Sequence, residues 1–212
     1  MSEILVQIEE AVKNGKAKLI KELVPAAIES GSGASEILNA LLSGMAVISE
    51  QFTRGDIFVP EVLVSARAMN KGTELIKPLL IESGAKAIGK ACIGTVEGDL
   101  HDIGKNLVKL MLESKNIEVI DLGTDVSAET FARTAKDEAC DIVCCSALLT
   151  TTMPVMGDVI KALEAEGIRD KVKVFVGGAP VNQSFCDSIG ADIYTENAGL
   201  AAQKAQELLT AD

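Results

Sequence analysis

The sequence has few aromatic residues and few residues that commonly bind metals. Phe, Tyr and Trp together make up 3% of the 212 residues, Trp is absent, and His101 is the only histidine. The cysteines are odd in number and show no CxxC spacing; they are Cys92, Cys140, Cys144, Cys145 and Cys186. Cysteines in such apolar, strand-like surroundings indicate reduced core residues and argue against a disulfide framework or a zinc site.

Positive charge is also scarce, and no hydrophobic run is long. The chain has 20 basic and 31 acidic residues, and its formal net charge of −11 opposes binding to nucleic acid phosphates. No apolar run approaches the roughly 20 residues that cross a bilayer, and the N-terminal residues lack the features of a signal peptide. We therefore expect a cytoplasmic protein with neither a nucleic acid nor a membrane as its partner.

The hydrophobic pattern changes near residue 85. Before this point, apolar residues recur at spacings of three and four in four segments separated by KNGK, SGSGAS and TRGDIFVP, which predicts four amphipathic helices. Ser35 is a predicted N-cap, and Pro60 suits a first helical turn. Because short helices bury their apolar stripes against one another, residues 1–85 are predicted to form a four-helix bundle.

After residue 85, short β-branched runs alternate with helical segments. The runs are KACIGTV, IEVIDLG, DIVCCSAL, KVKVFVGG and ADIYTE. Alternation of this kind predicts an α/β domain over residues 86–212, with a Rossmann-like, doubly wound parallel sheet in the flavodoxin-like order 2-1-3-4-5. Ligands bind at the carboxyl ends of the strands in such folds, so the loops after strands 1, 3 and 4 are expected to form the site.

The chemically distinctive residues fall in these loops. The residues are Gly98, Asp99, His101, Asp102 and Gly104 after strand 1, Ser146 and Thr150 to Thr152 after strand 3, and Gly177 and Gly178 after strand 4. Structural roles are the alternative for each of them, because Asp102 could cap a helix and the glycines could supply turns. Their convergence on one edge of the sheet favours a ligand site.

The motifs of common ligands of this fold are missing. The loop after strand 1 has no GxGxxG for a nicotinamide cofactor, and it is long and acidic where a flavin site would be short and rich in hydroxyls. A phospho-receiver would have an aspartate in place of Ser146. One histidine and one nearby carboxylate are too few for a closed zinc site. They suit a metal whose macrocycle supplies its other ligands, with Asp99 bonded to the second ring nitrogen of His101.

Three motifs resemble those of cobalamin-binding domains. Residues 99–104, DLHDIG, resemble DxHxxG, Ser146-Ala147-Leu148 resembles SxL, and Gly177-Gly178 resembles GG. Residues 50–69, EQFTRGDIFVPEVLVSARAM, resemble the helical cap that precedes this domain in methionine synthase and in the corrinoid proteins of anaerobic methyltransferase systems. The resemblance covers nearly the whole chain and implies a helical cap followed by a Rossmann-like corrinoid-binding domain.

The resemblance also implies a role for individual residues. His101 would be the lower axial ligand of cobalt, with Asp99 and Thr152 as a relay behind it; methionine synthase has a serine at the position of Thr152. Phe52 and Val59 resemble the cap residues over the methyl face, and ordinary bundle core is the alternative for both. The implied cofactor-binding set is Gly98, Asp99, Leu100, His101, Asp102, Gly104, Ser146, Leu148, Thr150, Gly177, Gly178 and Ala198.

The function implied by the resemblance is that of a methyl carrier without catalytic residues of its own. Cobalamin or a related corrinoid would cycle between methyl-Co(III) and Co(I). A substrate-specific methyltransferase would supply the methyl group, a second methyltransferase would pass it to coenzyme M or tetrahydrofolate, and a reductive activation protein would restore oxidised cobalt. A catalytic barrel of about 250 residues has no room in the chain. A mutase subunit, a B12-dependent sensor and a flavodoxin-like domain with another ligand remain alternatives, and the sequence does not identify the methyl donor.

Overall fold

The computed structural model describes residues 2–82 and 86–211. The chain divides into two compact units, Met1–Ala87 and Ile88–Asp212. Residues 83–85, where we predict the domain boundary, lie outside the described residues. None of the helices within the described ranges combines the length and the hydrophobicity that a bilayer-spanning helix needs.

Four helices form the described part of the first unit. They are α1 (Glu3–Lys13), α2 (Ala17–Glu29), α3 (Ala34–Arg54) and α4 (Val59–Glu82). Each helix buries most of the apolar stripe that its sequence predicts, although Leu19 and Leu63 are exposed; the fully buried members of these stripes include Ile8, Val12, Ile20, Val24, Ile37, Leu41, Met45, Val62 and Ile76. The predicted helical bundle is therefore confirmed.

The start of α3 differs from the prediction. Gly33 is the N-cap, and its backbone amide donates to Oε2 of Glu36 at 2.9 Å. Ser35 lies inside the first turn, so the prediction that Ser35 caps this helix is wrong. The physical reason is that Glu36 folds back onto the N-cap amide and satisfies it without a cap hydroxyl. Pro60 lies in the first turn of α4, as predicted.

The second unit contains a five-stranded parallel sheet with the order β2-β1-β3-β4-β5. Its strands are β1 (Gly89–Val96), β2 (Ile117–Val126), β3 (Ile142–Ser146), β4 (Lys173–Gly177) and β5 (Ile193–Tyr194). The predicted strand order is confirmed. The strand bounds differ from the sequence runs by a few residues: β1 begins one residue earlier, at Gly89, β3, β4 and β5 are shorter than their runs, and β2 continues past Gly123 to Val126 through irregular pairing with β1.

Helices cover the sheet between the strands. They are α5 (Ile103–Glu113), α6 (Ala128–Asp137), α7 (Pro154–Ala165), α8 (Gln183–Ile189) and α9 (Ala198–Thr210). Helix α5 contacts α9, and α6 contacts α7. This pairing is typical of a doubly wound sheet, in which both faces of the buried strands are covered.

The cysteines lie within this second unit and are all buried and free. Burial raises the pKa of the Cys144 thiol to about 12, which keeps it protonated at neutral pH. The prediction that the cysteines belong to the core is confirmed.

Gly44 allows α1 and α3 to approach closely. A Cβ atom on Gly44 would lie 2.7 Å from the carbonyl oxygen of Glu9 and 2.8 Å from Cβ of Val12. Because backbone atoms cannot move aside easily, we expect Gly44→Ala to lower the free energy of unfolding by about 1–3 kcal/mol. Urea denaturation followed by circular dichroism measures this change.

Asn39→Ala, at an exposed position of the same helix, is the matched control. Alanine is the better helix former, so this variant should be as stable as the parent or more stable by about 0.5 kcal/mol. A Gly44→Ala variant as stable as the parent would contradict the close packing of α1 against α3 at Gly44.

Candidate functional site

The strand register brings three loops together at the carboxyl edge of the sheet. Thr95 of β1 pairs with Ser146 of β3, and Ser146 pairs in turn with Gly177 of β4. The loops that follow these strands therefore leave the sheet side by side. This edge contains the point where the strand order reverses, which is the usual ligand position in such folds.

A buried carboxylate, Asp99, joins two of these loops. Its Oδ1 accepts hydrogen bonds from the backbone amide of His101 at 3.1 Å and from the ring Nδ1 of His101 at 2.8 Å. Its Oδ2 accepts from the amides of Leu148 and Leu149, at 2.7 and 3.3 Å, and from Oγ1 of Thr152 at 3.0 Å. The predicted contacts of Asp99 with His101 and Thr152 are therefore present.

These hydrogen bonds fix the ionisation state of Asp99. Its side chain is fully buried, and burial alone would raise its pKa; the amides of Leu148 and His101, followed by the His101 ring and the Thr152 hydroxyl, outweigh that effect and hold the pKa well below its usual range. An ionised carboxylate has no proton to donate. Nδ1 of His101 is therefore the donor, which leaves Nε2 as the ring nitrogen that can coordinate a metal.

The His101 ring lies in apolar, accessible surroundings. Its side chain is 53% exposed. Four large hydrophobic side chains near it in sequence or at the neighbouring strand end are also exposed: Leu100, Ile103, Leu148 and Leu149. Exposed apolar side chains next to a lone imidazole are typical of a surface that a ligand covers.

The donor set fits a metal with its own macrocycle. Within residues 2–82 and 86–211, no group of three or more His, Cys, Asp or Glu side chains is arranged to hold a metal ion. His101 can supply one nitrogen, with its tautomer fixed by a carboxylate, as is usual for metal-ligating imidazoles. The surrounding apolar side chains suit a broad, flat ligand, so the residues present fit a corrinoid.

The two glycines at the end of β4 have different surroundings. Gly178 has a φ of +133°, and a Cβ there would lie 1.8 Å from the carbonyl oxygen of Ala147. Any other residue would collide with the Ala147 backbone, so this position requires glycine. A Cβ on Gly177 would meet nothing within 4 Å, so its missing side chain leaves open space at the site.

The remaining predicted residues lie around these groups. Asp102 stands at the N-cap position of α5, and its carboxylate accepts from Nδ2 of Asn106 at 3.1 Å without a side-chain bond to a backbone amide of the helix. Thr150 is exposed, Ser146 is half-buried, and Ala198 is buried as the first residue of α9.

Gly98 and Gly104 lie on the two sides of His101 in the loop and at the start of α5. Gly98 has a φ of +82°, which favours glycine, whereas a Cβ on Gly104 would meet nothing within 4 Å. Phe52 and Val59, the predicted cap residues, belong to the helical unit. Phe52 lies near the end of α3, Val59 begins α4, and both are half-buried.

Two supporting residues were missed by the sequence analysis. Thr95 is fully buried and donates from Oγ1 to the carbonyl oxygen of His101 at 2.8 Å. Asp125 accepts the backbone amide of Gly98 on Oδ1 at 2.7 Å. A polar residue inside the apolar run of β1 was an available signal for Thr95, whereas the position of Asp125 depends on irregular strand pairing.

The protonation pattern of His101 can be tested without any cofactor. In the neutral form of the imidazole we expect the proton on Nδ1, because ionised Asp99 accepts from that atom. Long-range ¹H–¹⁵N correlation spectra of protein with labelled histidine report the tautomer, and His101 is the only histidine to assign.

Asp99→Asn tests the cause of this tautomer. An amide presents one oxygen and one NH₂ group to donors that converge on both carboxylate oxygens, so the tautomer preference should be lost and the free energy of unfolding should fall by about 1–3 kcal/mol. Asp102→Asn, at an exposed position of the same loop, is the matched control and should change neither. An unchanged His101 tautomer in Asp99→Asn would contradict this interpretation.

Comparison with protein families gives two matches. A family described as a B12 binding domain matches residues 89–202, and a second family with the same description matches residues 4–77. The first match alone spans more than half of the chain, and together they cover both the helical unit and the sheet.

Individual relatives match over most of their length. Dimethylamine corrinoid protein 1 of Methanosarcina acetivorans is 46% identical over 194 residues, which cover 89% of this chain and 91% of that protein. The dimethylamine corrinoid protein of Methanosarcina barkeri is 45% identical over 213 residues, covering 98% of each chain.

Among solved structures, the chain resembles one in the methanol:cobalamin methyltransferase complex MtaBC from Methanosarcina barkeri. The TM-score is 0.89 at 34% sequence identity, with 100% of this chain and 82% of that chain covered. The cobalamin motifs, the fold and these matches agree, and the chain belongs to the family of B12-binding corrinoid proteins.

Proposed function

We propose that this protein binds a corrinoid through His101 and carries a methyl group on the cobalt between two methyltransferases. The observation that carries the proposal is the His101 ring itself. Its Nδ1 donates to buried Asp99 at 2.8 Å, and its Nε2 is left free at an accessible, apolar surface. An imidazole held in this way presents a fixed lone pair for axial coordination.

The chain and the cofactor supply different parts of this function. A bound corrinoid would supply a cobalt centre that can take up and release a methyl group, with most of the metal's ligands in its own macrocycle. His101 would hold the cobalt through its Nε2 nitrogen. Asp99 orients the ring, and Thr152 orients Asp99 through the hydrogen bond to Oδ2 at 3.0 Å.

The side chains around His101 would bind the rest of the corrinoid. Leu100 and Leu148 provide exposed apolar surface beside the imidazole, where the lower face of the corrin ring would lie. The open space at Gly177 would accept the displaced base and its nucleotide tail, with Ser146 and Thr150 as neighbouring hydroxyl donors. Gly178, Gly98, Asp102, Gly104 and Ala198 complete the assigned set.

The helical unit would protect the methyl group. Phe52 and Val59 are half-buried in the bundle, so part of each side chain stays available to cover an apolar ligand. We assign them to the upper face of the cofactor, where they would exclude water from the methyl–cobalt bond. This assignment is supported by the resemblance of residues 50–69 to the cap of corrinoid proteins.

The relatives support a methylated amine as the methyl donor. The similar proteins in Methanosarcina acetivorans and Methanosarcina barkeri are dimethylamine corrinoid proteins, and the similar solved chain belongs to a methyltransferase complex. We therefore propose an amine-specific methyltransferase as the first partner. A second methyltransferase acting on coenzyme M or tetrahydrofolate and a reductive activation protein would complete the system, in the cytoplasm, with this chain as a non-catalytic carrier.

Reconstitution with hydroxocobalamin tests the axial ligand. Under anaerobic conditions we expect the parent protein to retain cobalamin with its own base displaced, as its ultraviolet–visible spectrum would report. His101→Ala should lose the histidine-ligated spectrum and bind at least about tenfold more weakly, because it removes the axial nitrogen itself.

Free imidazole is the control for this experiment. Added to His101→Ala, it should restore the nitrogen-ligated spectrum if the variant is folded and only the ligand is missing. A parent protein that retains no corrinoid, or a His101→Ala spectrum identical to that of the parent, would contradict the proposed function.

Gly177 provides a test of the cofactor space that is separate from coordination. Since a Cβ there meets nothing within 4 Å, Gly177→Ala should change the free energy of unfolding by less than about 0.5 kcal/mol, and Gly177→Leu extends a larger side chain into the same space. The leucine would fill the space assigned to the nucleotide tail. We expect cobalamin retention to fall sharply in Gly177→Leu and less in Gly177→Ala; binding equal to that of the parent in both variants would contradict this assignment.

A further inference from the structure

The end of strand β2 is bulged where it passes the His101 loop. β1 and β2 pair residue by residue up to Ile93 and Asp121, and then Gly94 pairs with Gly123 and Val96 with Val126. β2 therefore contains one extra residue at each of two successive register shifts. Bulges bend a strand and redirect its side chains, and they are common beside functional sites.

The bulged segment directs Asp125 toward the loop. Oδ1 of Asp125 accepts the amide of Gly98 at 2.7 Å, and the backbone amide of Asp125 donates to the carbonyl oxygen of Asp99 at 3.0 Å. One residue of β2 thus holds both ends of the Gly98-Asp99 segment. Asp125 has a φ of +56°, a left-handed conformation that aspartate adopts more readily than most residues do.

The same strand also holds the helix that follows His101. Nζ of Lys105, in the first turn of α5, is nearly inaccessible and lies 2.5 Å from Oδ1 of Asp121. That same Oδ1 accepts the amide of Gly123 at 3.0 Å, which fixes the first bulge. β2 therefore contacts the chain both before and after the imidazole.

These contacts matter because the loop contains a flexible residue just before Asp99. Gly98 adopts a φ of +82° and has wide conformational freedom in the absence of an external contact. The Asp99 side chain is fixed by the loop after β3, and the His101 carbonyl is fixed by Thr95. The backbone of Asp99 has two contacts: its amide donates to the carbonyl oxygen of Val96 at 3.1 Å, and its carbonyl oxygen accepts from the amide of Asp125 on the neighbouring strand.

We propose that Asp125 is a positioning residue for the axial ligand. Its carboxylate holds the Gly98 amide, and this contact sets where the Asp99 carboxylate meets Nδ1 of His101 and hence where Nε2 points. Asp125 needs no contact with the cofactor for this role. The role as stated rests on the proposed function, because it assigns His101 to cobalt.

Three variants distinguish the effect of the Asp125 acceptor oxygen from the effect of its left-handed backbone conformation. Asp125→Gly removes the acceptor and keeps a residue that adopts the left-handed conformation without strain. Asp125→Asn keeps an oxygen that can accept the Gly98 amide. Ala139→Gly is the matched control, since Ala139 is exposed in the same unit and has a φ of +50°.

The first measurement uses protein without cobalamin. In ¹H–¹⁵N spectra of the labelled histidine, Asp125→Gly should shift the His101 nitrogens toward the averaged values of a mobile imidazole. Asp125→Asn and Ala139→Gly should keep the spectrum of the parent. The second measurement is cobalamin affinity, which should fall roughly tenfold in Asp125→Gly, as for other residues that orient a metal-ligating imidazole.

The outcomes distinguish this inference from the proposed function. A His101 spectrum and an affinity in Asp125→Gly equal to those of the parent would overturn the inference, and so would an Asp125→Asn variant that behaves like Asp125→Gly. A parent protein that does not coordinate cobalamin through His101 would overturn the proposed function. The nitrogen shifts of the cofactor-free variants would still decide whether Asp125 positions the imidazole.

Discussion

The hydrogen bonding of one buried carboxylate determines the rest of the site. An isolated charge inside a protein is very unfavourable, and Asp99 is stable there because donors from the loops after β1 and β3 converge on both of its oxygens. The same contacts that keep Asp99 ionised join the two loops and orient His101. The hydrogen bonds of Asp99 therefore both stabilise the two loops and determine how His101 is presented as a ligand.

The strand order makes this convergence possible. In the order β2-β1-β3-β4-β5, the ends of β1 and β3 are adjacent, so the amides of Leu148 and Leu149 reach the Asp99 carboxylate, which lies 49 and 50 residues before them in sequence. The neighbouring β2 ends on the other side of β1 and contributes Asp125. The loop that carries His101 is therefore held by contacts from β3 on one side and from β2 on the other. Such support keeps a metal-ligating imidazole in one orientation.

Sequence alone predicted the parts that follow from periodicity and motif. The helical stripes, the parallel sheet, its order and the Asp99–His101 pair all follow from apolar spacing or from DLHDIG. Other features depend on local competition between acceptors, such as Gly33 in place of Ser35 as the cap of α3, where Glu36 supplies the acceptor. The role of Asp125 depends on two register shifts, and no hydrophobic pattern encodes a bulge of this kind.

The coordination of cobalt by His101 is the central claim, and the presence of one histidine allows a direct test. The protein should be loaded with cobalamin, reduced to the cobalt(II) form and examined by electron paramagnetic resonance with ¹⁴N- or ¹⁵N-histidine. Coordination by His101 predicts that the nitrogen splitting changes from a triplet to a doublet on ¹⁵N labelling. A triplet that persists in the labelled protein would mean that the unlabelled base of the cofactor is still bound to cobalt, which contradicts the account.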